Sequence, residues 1–189
     1  MAEPLADQVL RKIGEVCCLY HRLILMVGPA GSGKTSALQE VSALTSAPLV
    51  NVNLELSRRM LDLSVRQLAL QLPRLLGEIV GEATGELVLL DNIEILFDVH
   101  LKQDPLRLLQ GLSRNKTVVA AWNGEIRTEG RGLRTESSAD IDSALSTQSS
   151  ALYLTYAVPD HPEYRRYPIR DLIIVDASSV QRHASGGQP

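Results

Sequence analysis

Eight consecutive residues, Gly28-Pro29-Ala30-Gly31-Ser32-Gly33-Lys34-Thr35, have the types and spacing to hold a phosphate. They fit the pattern G-x-x-x-x-G-K-T, known as Walker A. Glycines allow a tight loop with dihedrals that a Cβ would penalise. The loop N–H groups then point at an anion, and the positive end of the following helix adds to them. In such a loop Lys34 reaches β- and γ-phosphate oxygens, the Thr35 hydroxyl binds Mg²⁺, and Ser36 closes the nucleotide-binding stretch. The four fixed positions arise by chance in roughly 0.6% of chains of this length, so the flanks decide. An apolar run of strand length, Leu23-Ile24-Leu25-Met26-Val27, precedes the loop. After it, Ala37, Leu38, Val41 and Leu44 recur at helical spacing.

A second chemical signal is Leu87-Val88-Leu89-Leu90-Asp91, four apolar residues ending in a carboxylate. It has the form of a Walker B strand, buried and parallel. Asp91 would end that strand at the crevice where ligands bind in such sheets, and hold Mg²⁺ mostly through water. The alternative is an aspartate that merely ends a strand. Many ATPases of this type place a glutamate next; here Asn92 stands there, and an amide cannot accept a proton from water at neutral pH. Glu94 is the nearest carboxylate, a candidate base or an ordinary glutamate. Thr117-Val118-Val119-Ala120-Ala121-Trp122 reads as another strand with Asn123 at its end. Asn123 suits a sensor of the γ-phosphate, although Asn-Gly is also a common turn pair. Arg107, Arg114, Arg58 and Arg59 are candidate arginine fingers. Arg114 comes first among them, because it follows the helix before the sensor strand; the role requires a neighbouring subunit.

Elements must place these residues. Residues 4–21 read as a helix with Leu5, Val9, Ile13, Cys17 and Tyr20 on one stripe. Simple packing on the first strand is the preferred role of this stripe; contact with a nucleotide base is the other. Residues 47–53 read as a strand, with Ser57 as cap of the next helix. That helical region runs toward Gly81, and Pro73 should kink it or split it in two. Asp104-Pro105 starts a further helix, with Asp104 as N-cap. Residues 151–158 and 171–175 return to strand character. Between them Arg165 and Arg166, flanked by tyrosines, could stack on bases, bind phosphate or pair with local acids. Residues 125–150 read as a flexible insertion, whose Arg127, Arg131 and Arg134 are more in keeping with a solvated loop than with a nucleic acid contact. The last residues, 178–189, read as a disordered tail.

The chain has 189 residues and a net charge of −3. That length suggests one P-loop domain over residues 1–177, and the charge gives no global basic field for nucleic acid. The two cysteines, Cys17 and Cys18, are adjacent. They imply no disulfide framework and read as small buried apolar residues in a reducing compartment. No apolar run reaches transmembrane length and no signal-peptide pattern opens the chain, so a cytoplasmic protein is expected.

Strands alternating with helices imply an α/β fold with a parallel sheet sandwiched by helices. The placement of Asp91 and Asn123 resembles the additional-strand, AAA-like branch of P-loop NTPases, here expected without a C-terminal helical lid domain. Further segments carry a closer resemblance. They are Leu49-Val50-Asn51-Val52-Asn53-Leu54-Glu55-Leu56-Ser57-Arg58-Arg59, Leu90-Asp91-Asn92-Ile93-Glu94-Ile95-Leu96-Phe97, Leu106-Arg107-Leu108-Leu109-Gln110-Gly111-Leu112-Ser113-Arg114-Asn115 and His161-Pro162-Glu163-Tyr164-Arg165-Arg166-Tyr167-Pro168. Together with the loop they are similar to the BrxF family, the small P-loop proteins of type 3 BREX phage-defence systems. The resemblance implies a bacterial protein acting in antiviral defence beside other BREX proteins, including a larger ATPase and a DNA methyltransferase. Three functions follow as expectations: an oligomeric, DNA-linked ATPase using ATP and Mg²⁺; a nucleotide-binding regulatory subunit with little hydrolysis; or a small-molecule kinase.

Overall fold

A computed structural model describes residues 3–128 and 152–178. The expected insertion beyond residue 128 and the tail from 179 lie outside the described residues. Among these residues the seven strands are β1 (Leu23–Gly28), β2 (Leu49–Asn51), β3 (Leu87–Asp91), β4 (Thr117–Thr128), β5 (Leu152–Tyr156), β6 (Arg165–Pro168) and β7 (Ile173–Asp176). Among the described residues the α-helices are α1 (Leu5–Val16), α2 (Lys34–Thr45), α3 (Val52–Met60), α4 (Val65–Glu82) and α5 (Pro105–Leu112). Five strands pair in parallel in the order β2-β3-β4-β1-β7. The fold is therefore α/β, a mostly parallel sheet flanked by helices.

Side-chain alternation along the buried strands divides the core in two. Leu23, Leu25, Val27, Val88, Leu90, Val118 and Ala120 face one way, with Leu56, Leu72, Leu76 and Leu109 of α3, α4 and α5. Ile24, Met26, Leu89, Val119, Ala121 and Val175 face the other, with Val9 of α1 and Leu38 and Val41 of α2. The packing role expected for the α1 stripe is thus met by Leu5, Ala6, Val9 and Val16.

Several boundaries differ from the sequence reading. α1 stops at Val16, so Cys17 and Cys18 are exposed rather than buried, and Tyr20 is 71% exposed. β2 is short because Asn51 already caps α3, its side chain accepting from the Leu54 N–H at 3.0 Å. Ser57, expected as the cap, lies inside α3. The break between α3 and α4 falls at 61–64, not at Pro73. Ser64 and Gln67 form a reciprocal capping box there. α4 runs unbroken through Pro73, which cannot donate to the carbonyl of Ala69 four residues back. Gln103 supplies the missing donor: its Nε2 reaches the Ala69 oxygen at 2.7 Å. Asp104 caps α5 as expected, accepting from the Arg107 N–H.

The largest correction concerns β4. Asn123 does not end it, and Asn123-Gly124 is no turn. The strand continues to Thr128, leaves the parallel sheet, and pairs antiparallel with β5, which pairs with β6. Residues 125–128 of the expected insertion are thus strand. These pairs build an arm beyond the C-terminal ends of the parallel strands. A Cβ on Gly124 would sit 1.9 Å from the Thr155 carbonyl oxygen, so the close approach of β5 requires glycine there. Trp122 Nε1 donates to that same oxygen at 3.0 Å.

Candidate functional site

The loop after β1 takes the shape its glycines permit. Gly31 and Gly33 have φ of +79° and +86°, the left-handed region. Gly28 answers a different need, since a Cβ there would stand 2.7 Å from Ser32 Oγ and 3.0 Å from Ala177 Cβ. Gly33 is the N-cap of α2, so the first N–H groups of that helix open onto the loop. Lys34 folds back over its own loop. Its Nζ donates to the carbonyls of Gly28 at 2.7 Å and Pro29 at 2.6 Å, and to Ser32 Oγ at 3.1 Å. Burial lowers the Lys34 pKa from its ordinary value, while the charges of Asp91 and Glu94 act in the opposite direction.

Three strands bring the remaining groups to this loop. β4 pairs with β1 so that Asn123 lies beside Gly28. β3 ends beside β4 at Asp91, which is 8% exposed. The next residue, Asn92, adopts φ +52°, and its carbonyl accepts from the Asn53 N–H of α3 at 3.0 Å. This reversal starts a 3-10 turn, Glu94–Phe97, and turns Glu94 toward the loop. Asn123 Nδ2 donates to Glu94 Oε1. A cleft of about 320 Å³ results, lined by Ala30, Gly31, Gly33, Lys34, Thr35, Ser36, Asp91, Asn92, Glu94 and Asn123.

Aromatic packing supports the turn that carries Glu94. Phe97, at the end of the turn that carries Glu94, stacks on Tyr156 of β5 with ring centroids 3.4 Å apart. Trp122 meets Phe97 edge-on at 4.9 Å and Tyr167 of β6 at 5.8 Å. Tyr167 Oη also donates to Asp104 Oδ1 at 3.1 Å, tying the arm to the cap of α5. Burial, then the charges of Glu163 and Glu94, push the Tyr156 phenol up to about 12.

Every loop residue expected from the sequence, with Asp91, Glu94 and Asn123, is brought together. Gly28 and Pro29 contribute carbonyls to Lys34, and Ser32 its hydroxyl. The arginines are not brought in. Arg114 follows α5 at the opposite end of the sheet, its Cζ 5.3 Å from the Tyr20 ring centroid. Arg58 pairs with Glu55, and Arg59 with Glu78 and Glu82. Arg107 lines a separate groove of about 450 Å³ between α4 and α5, with an apolar lining of Leu76, Val80, Leu108 and Leu112. Arg166, open from the sequence to a base, a phosphate or a local acid, lies over Tyr153 with its Cζ 3.6 Å from the ring centroid. Sequence reasoning missed the Asn123–Glu94 pair and the aromatic support of Glu94, because both join residues distant in sequence.

The arrangement offers oriented N–H groups and one ammonium for an anion, and a hydroxyl and carboxylates for a hard cation. No protein-family model matches this chain, and no curated protein or solved structure matches it, so its functional reading rests on its own residues.

Proposed function

We propose that this chain binds Mg·ATP at residues 28–36 and is a P-loop ATPase of the additional-strand kind, reaching full turnover in an oligomer or with a partner. The observation that carries this reading is the convergence of Lys34, Thr35, Asp91, Glu94 and Asn123 on one cleft. Strand order supports the additional-strand form, because β4 separates the loop strand β1 from the Asp91 strand β3.

Each side chain then has a task. The triphosphate lies against the N-terminus of α2, and Lys34 exchanges loop carbonyls for phosphate oxygens. Thr35 Oγ1 and Asp91 are hard oxygen donors that suit Mg²⁺, which when bound neutralises charge on the phosphates. Glu94 is the carboxylate placed to take a proton from the attacking water. Asn123 orients Glu94 and has one amide to share with the γ-phosphate. It therefore reports on that phosphate by changing partner. Arg114 can act only on a neighbouring subunit.

Asn92 supports a second reading, a nucleotide-binding regulatory subunit with little hydrolysis. The residue after Asp91 has no proton-accepting group, and Glu94 is held by Asn123. The segments similar to the BrxF family extend both readings to anti-phage defence in the bacterial cytoplasm, beside other BREX proteins and on DNA, directly or through them. No helix among the described residues is long and apolar enough to cross a membrane.

Equilibrium Mg·ATP binding and phosphate release, with and without duplex DNA and over a range of protein concentrations, test the proposal. Lys34→Ala should lower affinity at least about 100-fold; unchanged binding overturns the central claim. Glu94→Gln should slow release about 10²- to 10⁴-fold while keeping affinity. Normal release in that variant removes Glu94 as base. Release per subunit should rise with concentration and be lost in Arg114→Ala. Tight binding with negligible release under every condition selects the regulatory reading.

A further inference from the structure

Cys17 and Cys18 take no part in the cleft. They lie in the turn between α1 and β1, both exposed, with their Sγ atoms 3.5 Å apart and sharing a hydrogen bond. Exposure removes the packing reason for having a small apolar residue at either position. No group of three or more His, Cys, Asp or Glu side chains suited to a metal ion occurs among the described residues, so the two thiols stand as a pair.

We propose that Cys17 and Cys18 form a reversible dithiol–disulfide site, which a small disulfide of the glutathione type oxidises by exchange. The thiolate of one member of the pair attacks one sulfur of the oxidised tripeptide, its S–S bond breaks, and the first tripeptide thiol leaves. The other cysteine then gives up its proton and attacks the protein sulfur of the mixed disulfide, which expels the second tripeptide thiol. Two electrons pass from the protein pair to the small disulfide, and the two protein thiol protons end on the two released thiols. The two Sγ atoms share a hydrogen bond in which either can be the donor, so either thiol can open the exchange with the other as its resolving partner. The Cys18 pKa is raised, first by its hydrogen bond to Cys17 and then by the charge there. A mixed disulfide formed on either cysteine has its resolving thiol already beside it.

Adjacency makes the bridge labile. Across a trans peptide the two Cα atoms are about 3.8 Å apart, below the range of about 4.4–6.8 Å in ordinary disulfides. A strained bridge is more easily reduced, as suits a site that switches rather than one that holds a fold together. Closing the ring draws both side chains together. Cys17 must then leave its helix-like dihedrals, φ −55° and ψ −29°, and the Leu19 N–H bond to the Val16 carbonyl must adjust. Tyr20 follows two residues later, against His21 and beneath Arg114. Oxidation therefore alters the surroundings of Arg114 without touching the cleft.

The test uses the full chain, incubated with reduced and oxidised glutathione at varied ratio, then alkylated with iodoacetamide and weighed intact. Reduced protein should accept two alkyl groups. Oxidised protein should accept none and weigh about 2 Da less, with a smooth return as the ratio shifts toward the thiol. Cys17→Ser and Cys18→Ser should instead accumulate a stable adduct of one glutathione, since nothing resolves it; both positions are exposed, so folding is retained. A stable glutathione adduct on the unsubstituted chain, disulfide-linked dimers on a non-reducing gel, or two alkylatable thiols at every ratio would each overturn the proposal.

Discussion

In the loop at residues 28–36 the backbone does the positioning, through positive-φ glycines and the first turn of α2. In the arm built from residues 124–128, β5 and β6, side chains do it: Phe97, Trp122, Tyr156 and Tyr167 hold one another and the strands that bear them. The loop is closed by neighbours in sequence, whereas the arm is closed by contacts across tens of residues. The two regions meet at Asn123 and Glu94. Asn123 stands in register with Gly28 of the loop, while Glu94 rides on a turn whose last residue, Phe97, is stacked on the arm. The proposed ATP-binding groups thus belong to the backbone-built side, and the proposed hydrolytic groups depend on both. Damage to the arm should therefore weaken hydrolysis before it weakens binding.

Gly124→Ala tests this division most severely. The added Cβ falls 1.9 Å from the Thr155 oxygen and 2.9 Å from Trp122 Nε1, a clash that no rotamer relieves. The expected cost exceeds about 4 kcal/mol for the arm. Amide hydrogen exchange should show β5 losing protection while β1 keeps it. Equal protection of both strands in the variant would mean that the arm yields at little cost. Phe97→Leu is milder. It removes the stack on Tyr156 and the edge contact with Trp122, for about 1–2 kcal/mol. Phosphate release should fall several-fold with Mg·ATP affinity unchanged; an equal loss of both would erase the distinction between the two sides.

Gln103→Ala probes the core instead. It leaves the half-buried Ala69 carbonyl without its donor beside Pro73, a loss of about 1 kcal/mol of stability that lowers the denaturant midpoint. A midpoint within error of the unsubstituted chain would show that water replaces the amide. The remaining test is in pH. The folded state raises the Tyr156 phenol to about 12, against about 10 in an unfolded chain. The neutral phenol is the form the fold favours. Its contribution is whole below pH of about 10 and is lost as pH rises toward about 12. Stability should therefore fall more steeply in that window than in Tyr156→Phe. Parallel curves would place the phenol in solvent.

Much of the cleft was legible because its determinants are local. The loop glycines, Lys34 and Thr35 are consecutive, and the apolar run ending at Asp91 marks a strand wherever it pairs. Asp104-Pro105 announced a helix start for the same reason. Pro73 misled because its remedy, Gln103, is thirty residues away in sequence, and a missing N–H is tolerated when another donor arrives. Cys17 and Tyr20 continued a helical stripe on paper, but α1 stops before them, and no residue of the stripe itself marks that stop. Asn123 read as the end of its strand, with a turn at Asn123-Gly124 as the alternative. Gly124 is mid-strand because it pairs with Tyr156 of β5, an approach close enough to need a glycine.

By itself the amino-acid sequence determined a glycine-rich loop between a buried strand and a helix, and a carboxylate ending a second such strand. These follow from dihedral freedom and hydrophobic period, which act over a few residues. Only the tertiary structure decided that β4 runs between β1 and β3 and onward into the arm. The same folding paired Asn123 with Glu94, left Arg114 at the far end of the sheet, and exposed the two thiols. Those outcomes depend on which distant surfaces bury one another, and no local pattern encodes that choice.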